Sequence, residues 1–151
     1  MSLRVAIIAA IGLAACAAAR VVTPVTPVTV SAQGAKSQWE GVYTVEQAKR
    51  GEKLYADKCS SCHGPDMNGG EMAPGLTGGE FTSNWNDLSL GDLFERMRIS
   101  MPQNAPGSLS RQDNADILAY MLNKGNYPPG TTELPTQTEA LNGVKFVAVK
   151  P

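Results

Sequence analysis

Apolar residues recur at the spacing of an α-helix in three stretches of this chain, and a residue that caps helices precedes each stretch. The first helix is predicted over Val45–Lys58, the second over residues 89–99, and the third from residue 110 to about residue 124. Thr44 and Gln47 have the spacing of a capping box at the start of the first helix. The pattern therefore predicts an all-α fold class with three main helices.

A glycine inside the first predicted helix indicates a close contact with another helix. Gly51 costs about 1 kcal/mol relative to alanine in a helix interior, and Tyr55 follows it one turn later. A small residue beside an aromatic one favours a close helix–helix crossing, and simple tolerance of the glycine is the alternative.

The segments between and after these helices have a different composition. Residues 64–79 contain six glycines and two prolines, and they are predicted to form a loop. Residues 127–151 contain adjacent prolines and threonine-rich turns, and they are predicted to form an extended C-terminal tail with one edge strand packed on the domain.

The N-terminal residues have the features of an export signal. Arg4 precedes an apolar run over residues 5–15, which is too short to span a membrane. Two processing sites compete, a lipobox that ends at Cys16 and a small-residue cleavage site after Ala32. Residues 23–29 alternate threonine, proline and valine and are predicted to be an extended spacer. Residues 1–32 are thus predicted to be a signal peptide and linker.

Charge excludes one class of partner. The net charge of the 151 residues is −1, and without residues 1–32 it falls to −3. A protein that binds nucleic acid needs a basic stripe, which this composition does not supply. No nucleic-acid partner is expected.

The sequence Cys59-Ser60-Ser61-Cys62-His63 is the pattern of a c-type haem attachment site. Two thiols one helical turn apart can add across the vinyl groups on one edge of a porphyrin, and the next residue can turn its imidazole to the iron. A redox thiol pair or half of a zinc site are the alternatives, but zinc needs two further nitrogen or sulfur ligands. We therefore predict one covalently attached haem c, with Cys59 and Cys62 as attachment residues and His63 as an iron ligand.

The second iron ligand cannot be another histidine of this chain, because His63 is the only one. Methionine, lysine, an amine or an open position remain. Met67 is too close to His63 along the chain to reach the opposite face of the ring. Met97 and Met121 fall on apolar helical stripes, whereas Pro102 places Met101 in a loop after the second helix. We predict Met101 as the second ligand.

A histidine that binds a metal usually donates its other N–H to a fixed acceptor. In the loop of residues 64–79, Pro74-Gly75-Leu76 is a candidate for this role, with the Pro74 carbonyl as acceptor and Leu76 packed on the haem. Trp85 is expected either to donate its indole N–H to a haem propionate or to fill the core.

Together these features resemble a class I cytochrome c over residues 39–126, which we take as the cytochrome domain. The resemblance rests on the capped helix with Gly51 and Tyr55, on the Cys59–His63 motif, on Pro74-Gly75-Leu76, on Met101 and on Asp116-Ile117-Leu118-Ala119-Tyr120. It implies helices wrapped around one haem c, with the first and last helices crossing. Residues 38–50 and 126–134 also resemble cytochrome modules associated with periplasmic quinoprotein dehydrogenases.

The resemblance implies a periplasmic electron carrier rather than an enzyme. Methionine and histidine together fill both axial positions and raise the reduction potential. The expected partners are a dehydrogenase, an oxidase or another respiratory complex, and a monomer is expected, with a membrane anchor if Cys16 is lipidated. The alternatives are a haem enzyme or gas sensor with a labile sixth ligand, and a permanently docked subunit of a dehydrogenase.

The lipobox predicts that the mature protein begins at a lipidated Cys16. One acyl chain binds membranes only marginally, so a multiply acylated cysteine is expected. Intact mass and N-terminal sequencing of the protein purified from its host will measure this. A mature chain that begins at Gln33 would contradict the prediction.

Overall fold

The structure is a computed structural model, and it describes residues 36–151. The predicted signal peptide, the spacer and Cys16 lie outside these residues. Within residues 36–151, no helix is both long and apolar enough to cross a membrane.

The described residues form six helices and two short strands. The three main helices are α1 (Val45–Lys58), α4 (Leu90–Ser100) and α5 (Arg111–Lys124), which confirms the three predicted helices to within one residue at each end. The shorter elements are α2 (Ser60–His63), α3 (Gly78–Trp85), α6 (Thr138–Leu141), β1 (Lys36–Ser37) and β2 (Val144–Lys145). A single 3₁₀ turn covers Gln38–Glu40.

The capping box predicted at the start of α1 is only half formed. Thr44 Oγ1 accepts a hydrogen bond from the Gln47 backbone N–H at 3.1 Å, as predicted. The Gln47 side chain does not return to Thr44, because it is buried and pairs with the backbone of Leu134 through two hydrogen bonds of 2.7 and 3.2 Å. The Gln47 side-chain amide, predicted to bond to Thr44 at the helix start, thus bonds instead to Leu134, which is distant in sequence.

Helices α1 and α5 cross at Gly51, where the backbones touch. A Cβ atom at Gly51 would overlap the carbonyl oxygen of Asp116 in α5. One turn along each helix, the rings of Tyr55 and Tyr120 pack with their centroids 5.6 Å apart. The predicted close crossing is confirmed, and glycine is there because no side chain fits.

An ion-pair network closes the rim of this crossing. The guanidinium of Arg50 in α1 contacts the buried Asp116 in α5 at 2.8 Å and Glu133 in the C-terminal segment at 2.9 Å. Because Arg50 and Glu133 are half exposed, solvent screens this network, and we expect it to orient the segments more than it stabilises them.

Helix α3 was not predicted, because the loop was expected to continue to residue 79. The helix begins with Gly78 and Gly79, which have poor helix propensity, and none of its residues is fully buried. Neither an apolar stripe nor a propensity signal therefore marks it. Trp85, at its end, is half-buried and packs against Phe81 with centroids 6.1 Å apart.

The C-terminal segment is folded against the rest of the protein. Strand β2 pairs in parallel with β1, in the part of the segment where an edge strand was predicted. Helix α6 was not predicted, since it has only four residues. Leu134, Leu141 and Phe146 are buried in the same core cluster as the main helices.

The crossing gives a prediction for Gly51→Ala. Overpacking usually costs about 1–3 kcal/mol, and here the overlap is with backbone, which cannot rotate away. Alanine is the better helix former by about 1 kcal/mol. We expect the free energy of unfolding to fall by roughly 2 kcal/mol net, measured by denaturant titration.

Gly79→Ala is the matched control. A Cβ at Gly79, which lies in the exposed helix α3, would have no other atom within 4 Å. This variant should unfold at the same denaturant concentration as the wild type, or at a slightly higher one. Equal effects of the two substitutions would show that the crossing does not require glycine.

Candidate functional site

Cys59, Cys62 and His63 lie on one turn of backbone that begins where α1 ends. The Cys59 N–H donates to Tyr55 O at 2.9 Å, and the N–H groups of Cys62 and His63 both donate to Cys59 O, at 3.1 and 3.0 Å. Helix α2 therefore continues from α1 after a single bend. This turn groups the two sulfurs and the imidazole that the sequence pattern singled out.

The two cysteines have different surroundings. Both are free thiols, Cys59 half-buried and Cys62 exposed. Burial, followed by the charge of the Cys62 thiol, raises the pKa of Cys59 to about 11. Cys59 is therefore protonated at neutral pH and faces the protein interior, and Cys62 faces solvent.

His63 is held in one orientation by the loop that follows it. The imidazole is 8% exposed, and its Nδ1 lies 2.8 Å from the carbonyl oxygen of Pro74. A carbonyl can only accept, so Nδ1 carries the proton and Nε2 keeps its lone pair free. The expected Pro74 acceptor is thus present, and it leaves His63 with one nitrogen suited to a metal.

The loop of residues 64–77 is folded tightly enough to fix the Pro74 carbonyl. The Gly69 N–H donates to His63 O at 2.9 Å, and the Leu76 N–H donates to Met67 O at 2.8 Å. Gly69 has φ +78°, and a Cβ there would overlap the backbone at Gly75. Only glycine can close this turn, so the loop geometry that orients His63 is built into the backbone.

Tyr55 has a role in the site that sequence analysis missed. Its hydroxyl donates to the carbonyl of Gly64, directly after His63, at 2.6 Å. Burial, with the neighbouring Cys59 thiol as the next cause, raises the pKa of Tyr55 to about 12. The hydroxyl therefore remains a donor over the physiological range and ties α1 to the loop. The sequence placed Tyr55 at the helix crossing only, because this partner lies in a loop without a pattern.

A cavity of about 290 Å³ with a mixed polar and apolar lining lies beside this loop. Its walls include Leu76 from the loop, Phe81 from α3, Met121 from α5 and Phe146 from the C-terminal segment. None of Cys59, Cys62, His63 and Met101 lines it. It is therefore a separate space that shares Leu76 with the loop that positions His63.

Met101 lies directly after α4, in extended geometry with φ −121° and ψ 152°. Pro102 disfavours the helical conformation at this position, and the Met101 N–H closes the helix by donating to Met97 O at 2.9 Å. The side chain is half-buried. Its position in a loop is as expected, and its role as an iron ligand stays a prediction.

The other methionines have the surroundings expected for packing or solvent. Met67 and Met121 are buried in the core cluster, and Met97 packs against that cluster. Met72 is 77% exposed. Met67 also has a positive φ of 59° in the loop beside His63. It therefore belongs to the tightly folded loop on the histidine side.

These residues fit a covalently bound haem on chemical grounds. Two free thiols and an imidazole with an available Nε2 are grouped on one helical turn, and the partly buried Leu76 lies in the loop whose Pro74 carbonyl accepts from His63. Thioether bonds need the first two groups, and an axial bond needs the third. The site can therefore attach a porphyrin and supply one nitrogen ligand.

Two comparisons of the sequence with known proteins find c-type cytochromes. Residues 46–121 match the family model described as cytochrome c oxidase, cbb3-type, subunit III. A cytochrome c from Gossypium barbadense is 28% identical over 96 residues, with coverage of 49% of this chain and 86% of that protein. The solved structure of the sulfane dehydrogenase SoxCD from Paracoccus pantotrophus is 23% identical with a TM-score of 0.47, over 82% of this chain and 66% of that one.

The two thiols give a prediction for haem retention. Thioether bonds survive acid and organic solvent, so the wild-type protein should keep its haem through acid–organic extraction. The double variant Cys59→Ala/Cys62→Ala should release all of it, and each single variant should keep haem through the remaining bond. Absorbance of the two phases after extraction measures the outcome.

Ser61→Ala is the matched control, because it changes an exposed residue between the two cysteines without removing a thiol. It should retain haem as the wild type does. Retention of haem by the double variant would place the covalent attachment elsewhere.

Proposed function

Since the chain belongs to the family described as cytochrome c oxidase, cbb3-type, subunit III, and is a class I c-type cytochrome with covalently bound haem c, we propose that it is a single-haem electron carrier of the periplasm. The observation that carries the proposal is the orientation of His63, whose Nδ1–H is directed to Pro74 O at 2.8 Å and whose Nε2 is left free. Haem-based electron transfer is the activity of the family, and the finer assignments below are proposals.

Cys59 and Cys62 would hold the haem through thioether bonds, and Nε2 of His63 would be the nitrogen ligand of its iron. The support is their grouping on one turn, with His63 N bonded to Cys59 O at 3.0 Å. The hydrogen bond to Pro74 sets the tautomer of His63 and makes Nε2 a better donor of electron density. The Tyr55 hydroxyl, at 2.6 Å from Gly64 O, keeps this turn in place.

Met101 would supply the sulfur ligand of the haem iron. The support is its loop position, its half-buried side chain and the packing of Met67, Met97 and Met121 in or against the core. A neutral thioether favours ferrous iron and raises the potential relative to a second imidazole. With both axial positions filled, the iron has no site for oxygen or peroxide.

When bound, the haem supplies the exchange of one electron between ferric and ferrous iron. The residues of this chain contribute orientation and exclusion of water. Pro74 orients the imidazole of His63, and Tyr55 holds the backbone at Gly64 next to it. The apolar side chains of Leu76, Phe81 and Met121 would limit the access of water to the haem. No bond to a substrate is made or broken, so fixed geometry and low polarity are sufficient for the task.

The partners are a dehydrogenase, an oxidase or another respiratory complex, on one side as donor and on the other as acceptor. Residues 39–126 act as the cytochrome domain, and residues 1–32 direct export and, through Cys16, attachment to a membrane. The support is the export-signal pattern of the sequence and the family description, which names an oxidase. We propose that the protein works as a monomer.

Met101→Ala tests the axial assignment. Loss of the sulfur ligand should abolish the sulfur-to-iron charge-transfer band of the ferric protein and allow the reduced protein to bind carbon monoxide. The reduction potential should fall by on the order of tenths of a volt, since axial ligands set haem potentials over a range of about 0.8 V. Visible spectroscopy and a redox titration measure these changes.

Met97→Leu is the matched control, because Met97 lies one turn before Met101 and packs against the core. It should keep the band and should not bind carbon monoxide. If Met101→Ala keeps the band, another residue is the ligand. If the unaltered reduced protein binds carbon monoxide readily, the sixth ligand is labile and an enzyme or gas sensor is favoured over a carrier.

A further inference from the structure

The C-terminal residues beyond the matched family model reach the cavity beside the His63 loop. The match ends at residue 121, and Phe146 lies 25 residues later. Phe146 lines the cavity together with Leu76 and Met121. A segment outside the matched residues thus contributes one apolar side chain to the wall of the cavity beside the loop.

The backbone around Phe146 is fixed by main-chain pairing. The Phe146 N–H donates to Leu88 O at 2.8 Å, and the Phe146 carbonyl accepts from the Asp87 N–H at 2.8 Å. The Ala148 N–H donates to Asn86 Oδ1 at 2.8 Å. These bonds hold residues 146–148 along the connection between α3 and α4.

The other side of the same segment is held by the N-terminal residues of the described chain. The Gln38 side chain makes two hydrogen bonds to the backbone of Val147, at 2.6 and 2.9 Å. The indole N–H of Trp39 donates to the same Val147 carbonyl at 3.0 Å. The backbone of residues 146–148 is therefore hydrogen-bonded from both sides.

The side chain of Phe146 is 1% exposed and packs edge-on against two other rings. Its centroid is 5.9 Å from that of Phe81, with an interplanar angle of 85°, and 5.5 Å from that of Tyr127, at 74°. Edge-to-face pairs of this kind add about 0.5–1.5 kcal/mol to the burial of the rings. Phe146 therefore joins α3 to the segment that follows α5.

Helix α3 depends on this contact for its position. None of its residues is fully buried, and its first two residues are glycines with open space around them. Phe81 is partly buried, and its contact with Phe146 is one of the few that join α3 to the core. The residues just after α3 are those that pair with Phe146 and Ala148.

We propose that the haem lies against the cavity wall formed by Leu76, Phe81 and Met121, and that Phe146 is a positioning residue, which holds α3 against the core and limits the entry of water at that wall. This inference rests on the proposed function, because it concerns the potential of the carrier. Water that enters beside a haem stabilises the more charged ferric state and lowers the reduction potential. The C-terminal segment thereby keeps the potential high.

The experiment compares haem-loaded wild type with Phe146→Ala, Phe146→Leu and Val149→Ala. Val149 is the matched control, because it lies in the same segment and is 78% exposed. The reduction potential should decrease in the order wild type, Phe146→Leu, Phe146→Ala, and Val149→Ala should equal the wild type. In the apoprotein, tryptophan fluorescence, which reports Trp39 and Trp85, should become more accessible to a soluble quencher in Phe146→Ala and should stay unchanged in Val149→Ala.

Stability is measured alongside, so that a purely structural role can be separated. If Phe146→Ala unfolds at lower denaturant concentration but keeps the wild-type potential, the proposal is overturned. If Phe146→Ala does not load haem, the smaller change in Phe146→Leu decides, and an unchanged potential there also overturns it. Failure of the proposed function is distinguishable, because it appears in the unaltered protein as carbon monoxide binding or a missing sulfur-to-iron band.

Discussion

The contact of two backbones at Gly51 is the constraint on which the rest of the structure depends. Because no side chain separates α1 from the carbonyl of Asp116, the helices approach closely enough for Tyr55 and Tyr120 to pack one turn away. The end of α1 is thereby fixed relative to α5. The crossing therefore also fixes the position of Cys59–His63, which follow directly after α1.

The site follows from this crossing through a short series of hydrogen bonds. Tyr55 holds Gly64, His63 binds back to Cys59, and Pro74 accepts the imidazole proton. The first and last of these bonds join the helices to the glycine-rich loop, which has no regular structure of its own. The orientation of the His63 Nε2 therefore depends on the packing of α1 against α5 at Gly51.

The sequence predicted the parts of this structure that local chemistry determines. The three main helices were found because capping residues and apolar stripes lie within them, and the Gly51 crossing was found because glycine in a helix is costly. Helix α3 has neither a capping bond nor a buried apolar stripe, so no local pattern predicted it. The Gln47 side chain binds the backbone of Leu134 rather than the Thr44 N–H, and a contact so distant in sequence leaves no local pattern. The Pro74 acceptor was expected, but the contribution of the Tyr55 hydroxyl required the folded loop.

Two buried glutamines, Gln38 and Gln47, hydrogen-bond to the C-terminal segment in the same way. Each side-chain amide pairs with both polar groups of the backbone, at Val147 and at Leu134 respectively. Because these hydrogen bonds are made to backbone N–H and C=O groups, they do not depend on which side chains Val147 and Leu134 carry. Substitutions at exposed positions of the segment, such as Val149, should therefore leave it attached, whereas the buried side chains of Leu134 and Phe146 are constrained by the core.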